Sequence, residues 1–318
     1  LIGSIRAGFD TAATHIGLIA FPVIVDLILW FGPHFSLRSL LMPVIDNMAK
    51  IPGMNAPELS DMLHGMQDMW TSIAQTFNLA AALRTYPVGI PSLEASQLPQ
   101  HTPFGIPASI SVSSLGAVFG LWVIFSLLGL AGGSLYFQAV SRSISGQTAP
   151  RSIHESTWAV FQTILLTLGW ICLALLISLP GTLIITVLAL FSPTLAQIGT
   201  LLIVMVVIWL IVPLLFSPHG IYMFRQNALT SMLTSVRLVR YILPGTGLFF
   251  LTVIILSQGL DLLWQVPPDN SWMSLVAIGG HGFITTALLA ASFVYYRDAT
   301  TFVRELVNRA SAARQNSI

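Results

Sequence analysis

From Ser156 to Pro218, sixty-three consecutive positions carry no Asp, Glu, Lys, Arg or His. One membrane-spanning helix needs ~20 apolar residues, so this block holds two crossings and is far too long for a buried helix of a soluble domain. The chain therefore reads as an integral membrane protein. Two breaks punctuate the block, Leu179-Pro180-Gly181 and Ser192-Pro193-Thr194. They fit two long spans turning near Ser192, the first kinked at Pro180, or a re-entrant piece over 181–192.

The remaining apolar runs bring the expected spans to six, at about 13–31, 109–136, 158–190, 195–216, 244–264 and 273–296. The fold class is then all-α, a single polytopic membrane domain with amphipathic helices at its interfaces. The first run follows Arg6 and Asp10; it is too long for a secretory signal core and lacks a small-residue cleavage site, so it reads as a retained span. Residues 32–107 form an extracytoplasmic segment of about 75 residues. Leu37, Leu40, Leu41, Val44, Ile45 and Met48 recur there at helical spacing, as do Leu59, Met62, Leu63, Met66, Met69, Ile73, Phe77 and Ala80. Pro87, Pro91, Pro99, Pro103 and Pro107 then forbid a continuous helix and imply an extended return to the membrane. Over 219–243 an apolar face, Ala228, Leu229, Met232, Leu233, Val236 and Val239, opposes Arg225, Asn227, Thr230, Thr234 and Arg237, which predicts a cytoplasmic surface helix.

Charge sets the orientation. With six spans, Arg6, Arg142, Arg151, Arg225, Arg237, Arg240, Arg297, Arg304, Arg309 and Arg314 share one side, and Arg38, Lys50 and Arg84 the other. Positive charge marks the cytoplasmic side, so both termini are expected there, in a bacterial cytoplasmic membrane. Tyr136, Trp158, Tyr222, Tyr241, Tyr295 and Tyr296 would mark the inner interface, and Trp30, Trp264 and Trp272 the outer one. At 55% hydrophobic and 8% charged, the chain has too few charges to solvate a globular surface, and lipid is its first partner. No Lys/Arg-rich run exists to track phosphates, which excludes a nucleic-acid partner. The single cysteine, Cys172, lies in the apolar block and reads as a small hydrophobe.

Ionisable side chains inside spans are costly, which makes them the candidates for function. Asp26, Asp261 and His281 fall at similar depth, within roughly 10 Å of the outer boundary at 1.5 Å per residue. If they meet, a histidine–carboxylate pair there would relay protons, hold a metal, or neutralise itself as a paired polar contact. Gly279, Gly280 and Gly282 clear the helix surface beside His281, for another helix or for a flat macrocycle; imidazole ligation of a haem or a chlorophyll-type pigment is the alternative. Met62, His64, Met66 and Met69 have soft-metal spacing, but the methionines lie on the apolar stripe, where packing is the simpler reading. No nucleophile elbow, zincin motif or phosphate loop occurs, so no catalytic residues, no metal site and no enzymatic activity are expected.

At 217–240, Ser217-Pro218-His219 leads into Ser231-Met232-Leu233-Thr234-Ser235-Val236-Arg237-Leu238-Val239-Arg240. This resembles the helix motif, with Ser235, Arg237 and Arg240 as its markers, of bacterial multi-pass families allied to the membrane domain of glycerophosphodiester phosphodiesterases and to Yip-type proteins. The resemblance covers the C-terminal half and implies about six spans with surface helices between them, and no catalytic residues. A weaker internal echo sets Leu135-Tyr136-Phe137-Gln138 beside Ile221-Tyr222-Met223-Phe224. The expected function is that of a non-catalytic accessory or structural subunit packing on other membrane proteins or lipids, with a small-solute or lipid transporter as the alternative.

Overall fold

A computed structural model describes residues 1–48, 57–146 and 152–315. The described chain is almost wholly helical. Five helical stretches are long and apolar enough to cross a membrane: α6 (Leu115–Ser145), α7 (Ile153–Phe191), α8 (Pro193–Ile211) continued through a 3-10 turn into α9 (Ser217–Phe224), α11 (Leu243–Trp264), and α12 (Met273–Gln315). Their ends are set by local chemistry. Ser114 and Ser152 accept backbone N–H groups from Ala117 and Glu155 at the starts of α6 and α7, and Gly146 closes α6 in the left-handed region. Ser192 turns the chain between α7 and α8, with Pro193 in the first turn of α8, where a missing N–H costs nothing. α7 runs unbroken through Pro180, so 181–192 is helix and hairpin tip, with no re-entrant piece.

The stretch expected as the first span, 13–31, is not one helix. α1 (Ile2–Thr14) and α2 (Ala20–Phe31) are joined by a 3-10 turn over Ile16–Ile19 and bent by 90°. Pro22 falls in the first turn of α2, where its missing N–H costs nothing, and so favours a fresh helix start near Ala20. α2 alone is roughly 18 Å long, short of a ~30 Å hydrocarbon core. Together the two line α12, as a broken span or a re-entrant loop would. Ile5 packs on a cluster containing Phe216, Ala291, Tyr296 and Ala299, while Trp30 packs with Ala277 and Ile278. Ala277 and Tyr296 lie roughly 29 Å apart along α12. α1 lies so close against α12 that a side chain at Gly8 would strike Ala287 and Ala291.

The insertion is tied at both ends. β1 (His34–Ser36) pairs in parallel with β2 (Ser109–Ser111), so the residues expected to open the second span are strand, and that span begins at Leu115. Between them lie α3 (Arg38–Met48), α4 (Pro57–Thr76), a 3-10 turn over Leu79–Leu83 and the short α5 (Glu94–Gln97). The Asn78 side chain accepts N–H groups from Phe35 and Ala80, fixing the turn to the strand pair.

The proline-rich segment is not an outlying return strand. A Cβ at Gly129 would strike the Leu83 carbonyl, and one at Gly133 would lie 2.6 Å from the Gly89 Cα. Gly133 sits roughly 27 Å along α6 from Leu115, so 83–93 runs deep along the bundle, Arg84 and Tyr86 staying exposed. Irregular backbone survives at such depth only when enclosed by protein, and Val88 and Ile90 are buried in the core with Leu29, Tyr136 and Phe293. The former surface helix is two: α9, and α10 (Ala228–Tyr241) begun by the Asn227 cap after Arg225 adopts φ 52°.

If this enclosure is right, Gly133→Ala should destabilise the protein by about 1–3 kcal/mol through overpacking against the Gly89 backbone. Gly120→Ala, which meets nothing within 4 Å, should be neutral. Unfolding in mild detergent compares the two.

Candidate functional site

Asp26, Asp261 and His281 come together. Asp26, on α2, is fully buried. Its Oδ1 accepts the Ser92 hydroxyl at 2.5 Å and the Glu94 backbone N–H at 3.1 Å, while the Ser92 oxygen itself accepts the Ala95 N–H. Its Oδ2 faces His281 Nδ1 at 3.8 Å, and neither atom has a hydrogen-bond partner. The other ring nitrogen, Nε2, lies 3.7 Å from Asp261 Oδ1. Only Asp261 keeps appreciable exposure, 24% of its side chain. The imidazole thus stands between a carboxylate that touches solvent and one that does not.

A second acidic pair surrounds this trio. Glu94 is buried at the start of α5, and its carboxyl is pushed up to about 8, first by burial and then by the negative charges of Asp26 and Asp269. Asp269, in the loop between α11 and α12, accepts the Gln100 N–H on its side chain and the Trp30 indole N–H on its carbonyl. An extended return over 87–107 gives no reason to bring Ser92 or Glu94 to Asp26, and Asp269 reads only as part of the loop before the last span. The signal was present in Pro91-Ser92-Leu93-Glu94, a serine placed to cap a helical turn, but only the dip toward α6 brings it to Asp26.

The glycines around His281 have defined uses. A Cβ at Gly280 would strike the Trp264 indole, and one at Gly282 would crowd Ile19, Pro22 and Val23. These faces are filled by a tryptophan and by the start of α2, and Gly279 faces open space. Both ring nitrogens of His281 point at carboxylates, so an axial bond to a macrocycle would have to displace one of them. Among the described residues, no group of three or more His, Cys, Asp or Glu side chains is placed to hold a metal ion. The side chains of Met62 and His64 lie outside the described residues.

Polar contacts continue along α12 toward its arginine-bearing end. Tyr136 pairs with Thr286 at 2.9 Å, and His219 Nε2 with Ser292 Oγ at 2.7 Å. His219 Nδ1 and the Tyr296 hydroxyl are buried without hydrogen-bond partners. The C-terminal motif has a structural task. Ser235 donates to the Pro213 carbonyl and Ser231 to the Ser217 carbonyl, satisfying backbone groups where the span breaks between α8 and α9. Arg237 and Arg240 point outward and are exposed. The echoed aromatic pairs pack on each other, Phe137 against Tyr222 at 5.5 Å.

Glu94 supplies a pH signature. Its proton is held more tightly in the folded chain, so the stability it contributes is complete below about 4.5, declines as pH rises, and is gone above about 8. The melting midpoint of the wild type should therefore fall relative to that of Glu94→Gln between those limits and run parallel to it above them.

No family model matches the chain, and neither a curated protein nor a solved structure is found similar to it.

Proposed function

We propose that this multi-pass helical membrane protein is a proton-linked transporter of small solutes, with the Asp261–His281–Asp26 line as its proton entry. The observation that carries this reading is the buried Asp26 oxygen facing an imidazole whose far nitrogen faces a solvent-touching carboxylate. A proton taken from Asp261 at Nε2 releases the Nδ1 proton toward Asp26 Oδ2. Neutralising Asp26 removes the charge that the Ser92 hydroxyl and Glu94 N–H solvate, and so weakens the latch between α2 and the dipping segment. Broken helices and irregular backbone around a polar site are the usual furniture of transporters, and here α1–α2, 83–93 and α8–α9 supply them. The arginine tally supports a cytoplasmic α9–α10 end, in a bacterial cytoplasmic membrane, with the site near the outer face.

A second reading, the accessory subunit, has its own support. α8 packs chiefly on α7 and the following 3-10 turn. The hairpin they form exposes Leu183, Leu190, Phe191, Leu201 and Met205. Partner subunits could cover that surface as well as lipid does, and native mass in mild detergent separates a lone protein from an assembly component.

Liposomes carrying the protein and an enclosed pH-sensitive dye test the transport reading. After an external acid step, wild-type vesicles should acidify faster than vesicles carrying Asp26→Asn or His281→Ala. Equal rates for all three would remove the relay.

A further inference from the structure

Between α8, the 3-10 turn after it and the end of α10 runs a groove of about 580 Å³, lined by Met205, Trp209, Pro213, Val236 and Leu243 among others. That volume is within the roughly 300–1,000 Å³ of small-molecule sites. The lining is apolar except for one side chain, Arg240. Arg237 stands one turn earlier on α10, and both arginines are exposed.

Their charge is unanswered among the described residues. No Asp or Glu occurs between Glu155 and Asp261; Glu155 pairs with Arg225 at 2.7 Å, and on α12, which shares a buried cluster with α10 through Ala299 and Val239, Asp298 pairs with Arg297 and Glu305 with Arg309. Neither Arg237 nor Arg240 is in an ion pair among the described residues. The groove opens where lipid surrounds the bundle: Trp209 is 64% exposed on one wall, and Leu243 begins the next span on the other.

We infer that this groove holds one anionic glycerophospholipid, an acyl chain along Met205, Trp209 and Val236 and the headgroup phosphate on Arg240 with Arg237 beside it. An apolar slot with a cation at its mouth matches a phospholipid at both ends, whereas a zwitterionic headgroup brings its own cation beside the phosphate and leaves the net charge of the two arginines uncompensated. Guanidinium meets phosphate oxygens with two parallel N–H donors, which favours a fixed seat over diffuse attraction. A basic residue near an anionic membrane surface gains roughly fivefold in affinity, so two arginines give a site selective for charge.

Trp209 provides the readout. In phosphatidylcholine nanodiscs holding a small fraction of brominated lipid, the Trp209 signal is the difference between wild type and Trp209→Phe. Brominated phosphatidylglycerol should quench that signal as though enriched roughly fivefold per arginine over brominated phosphatidylcholine. The preference should vanish in Arg237→Gln/Arg240→Gln and persist in Arg240→Lys. Equal quenching by the two lipids, or a preference that survives the double substitution, overturns the proposal. So does protection from both lipids, which would mean that protein, a second copy included, covers the groove.

Discussion

A backbone inside hydrocarbon has no water to bond, so every peptide group there must be satisfied within the protein. This chain leaves regular helix at depth in three places, at Ile16–Ile19, along 83–93 and between α8 and α9. Each break is covered on at least one side. α12 meets the first at Gly282, where Leu18 and Ile19 are buried while Ile16 and Gly17 stay exposed; α6 receives the second at Gly129 and Gly133; the serines of α10 bond the carbonyls of the third. The fold can thus be read as a set of covers for irregular backbone, with α12 as the post most of them lean on.

The same enclosure creates the polar site. Burying a carboxylate is tolerable only when hydrogen bonds or charges replace its water. Asp26 receives two donors from the dipping segment on one oxygen and an imidazole facing the other. The donors come from the segment that a soluble loop would keep outside, so the dip and the carboxylate depend on each other. Burial first, and then the acids crowding it, leave Glu94 holding its proton into the neutral range, which lowers the net charge confined there. A proton relay built on these groups would work by shifting that balance.

How much of this was legible follows from what a linear pattern records. Apolar length and charge distribution suffice for the long spans, and Ser192-Pro193 marks the α7–α8 turn in plain sight. The depth of Asp26, Asp261 and His281 along their runs was enough to bring the trio together on paper. The 90° bend is not legible because composition stays apolar through Gly17 and Pro22, and nothing but the proline's position hints at it. The path of 87–107 is not legible because prolines signal the loss of helix, not where the loop goes; the fit of Gly89 against Gly133 is a tertiary fact, and with it the meeting of Ser92 and Glu94 with Asp26.

The account stands or falls with the enclosure of 83–93, and amide hydrogen exchange of the protein in nanodiscs tests it most directly. Peptides covering Val88 to Ala95, with the Glu94 amide bonded to Asp26, should exchange as slowly as those of mid-α6, and Asp26→Asn should speed them. Exchange of that segment in the wild type as fast as in the exposed stretch around Phe104 and Ile106 would show an outlying loop, and with it no latch and no buried relay.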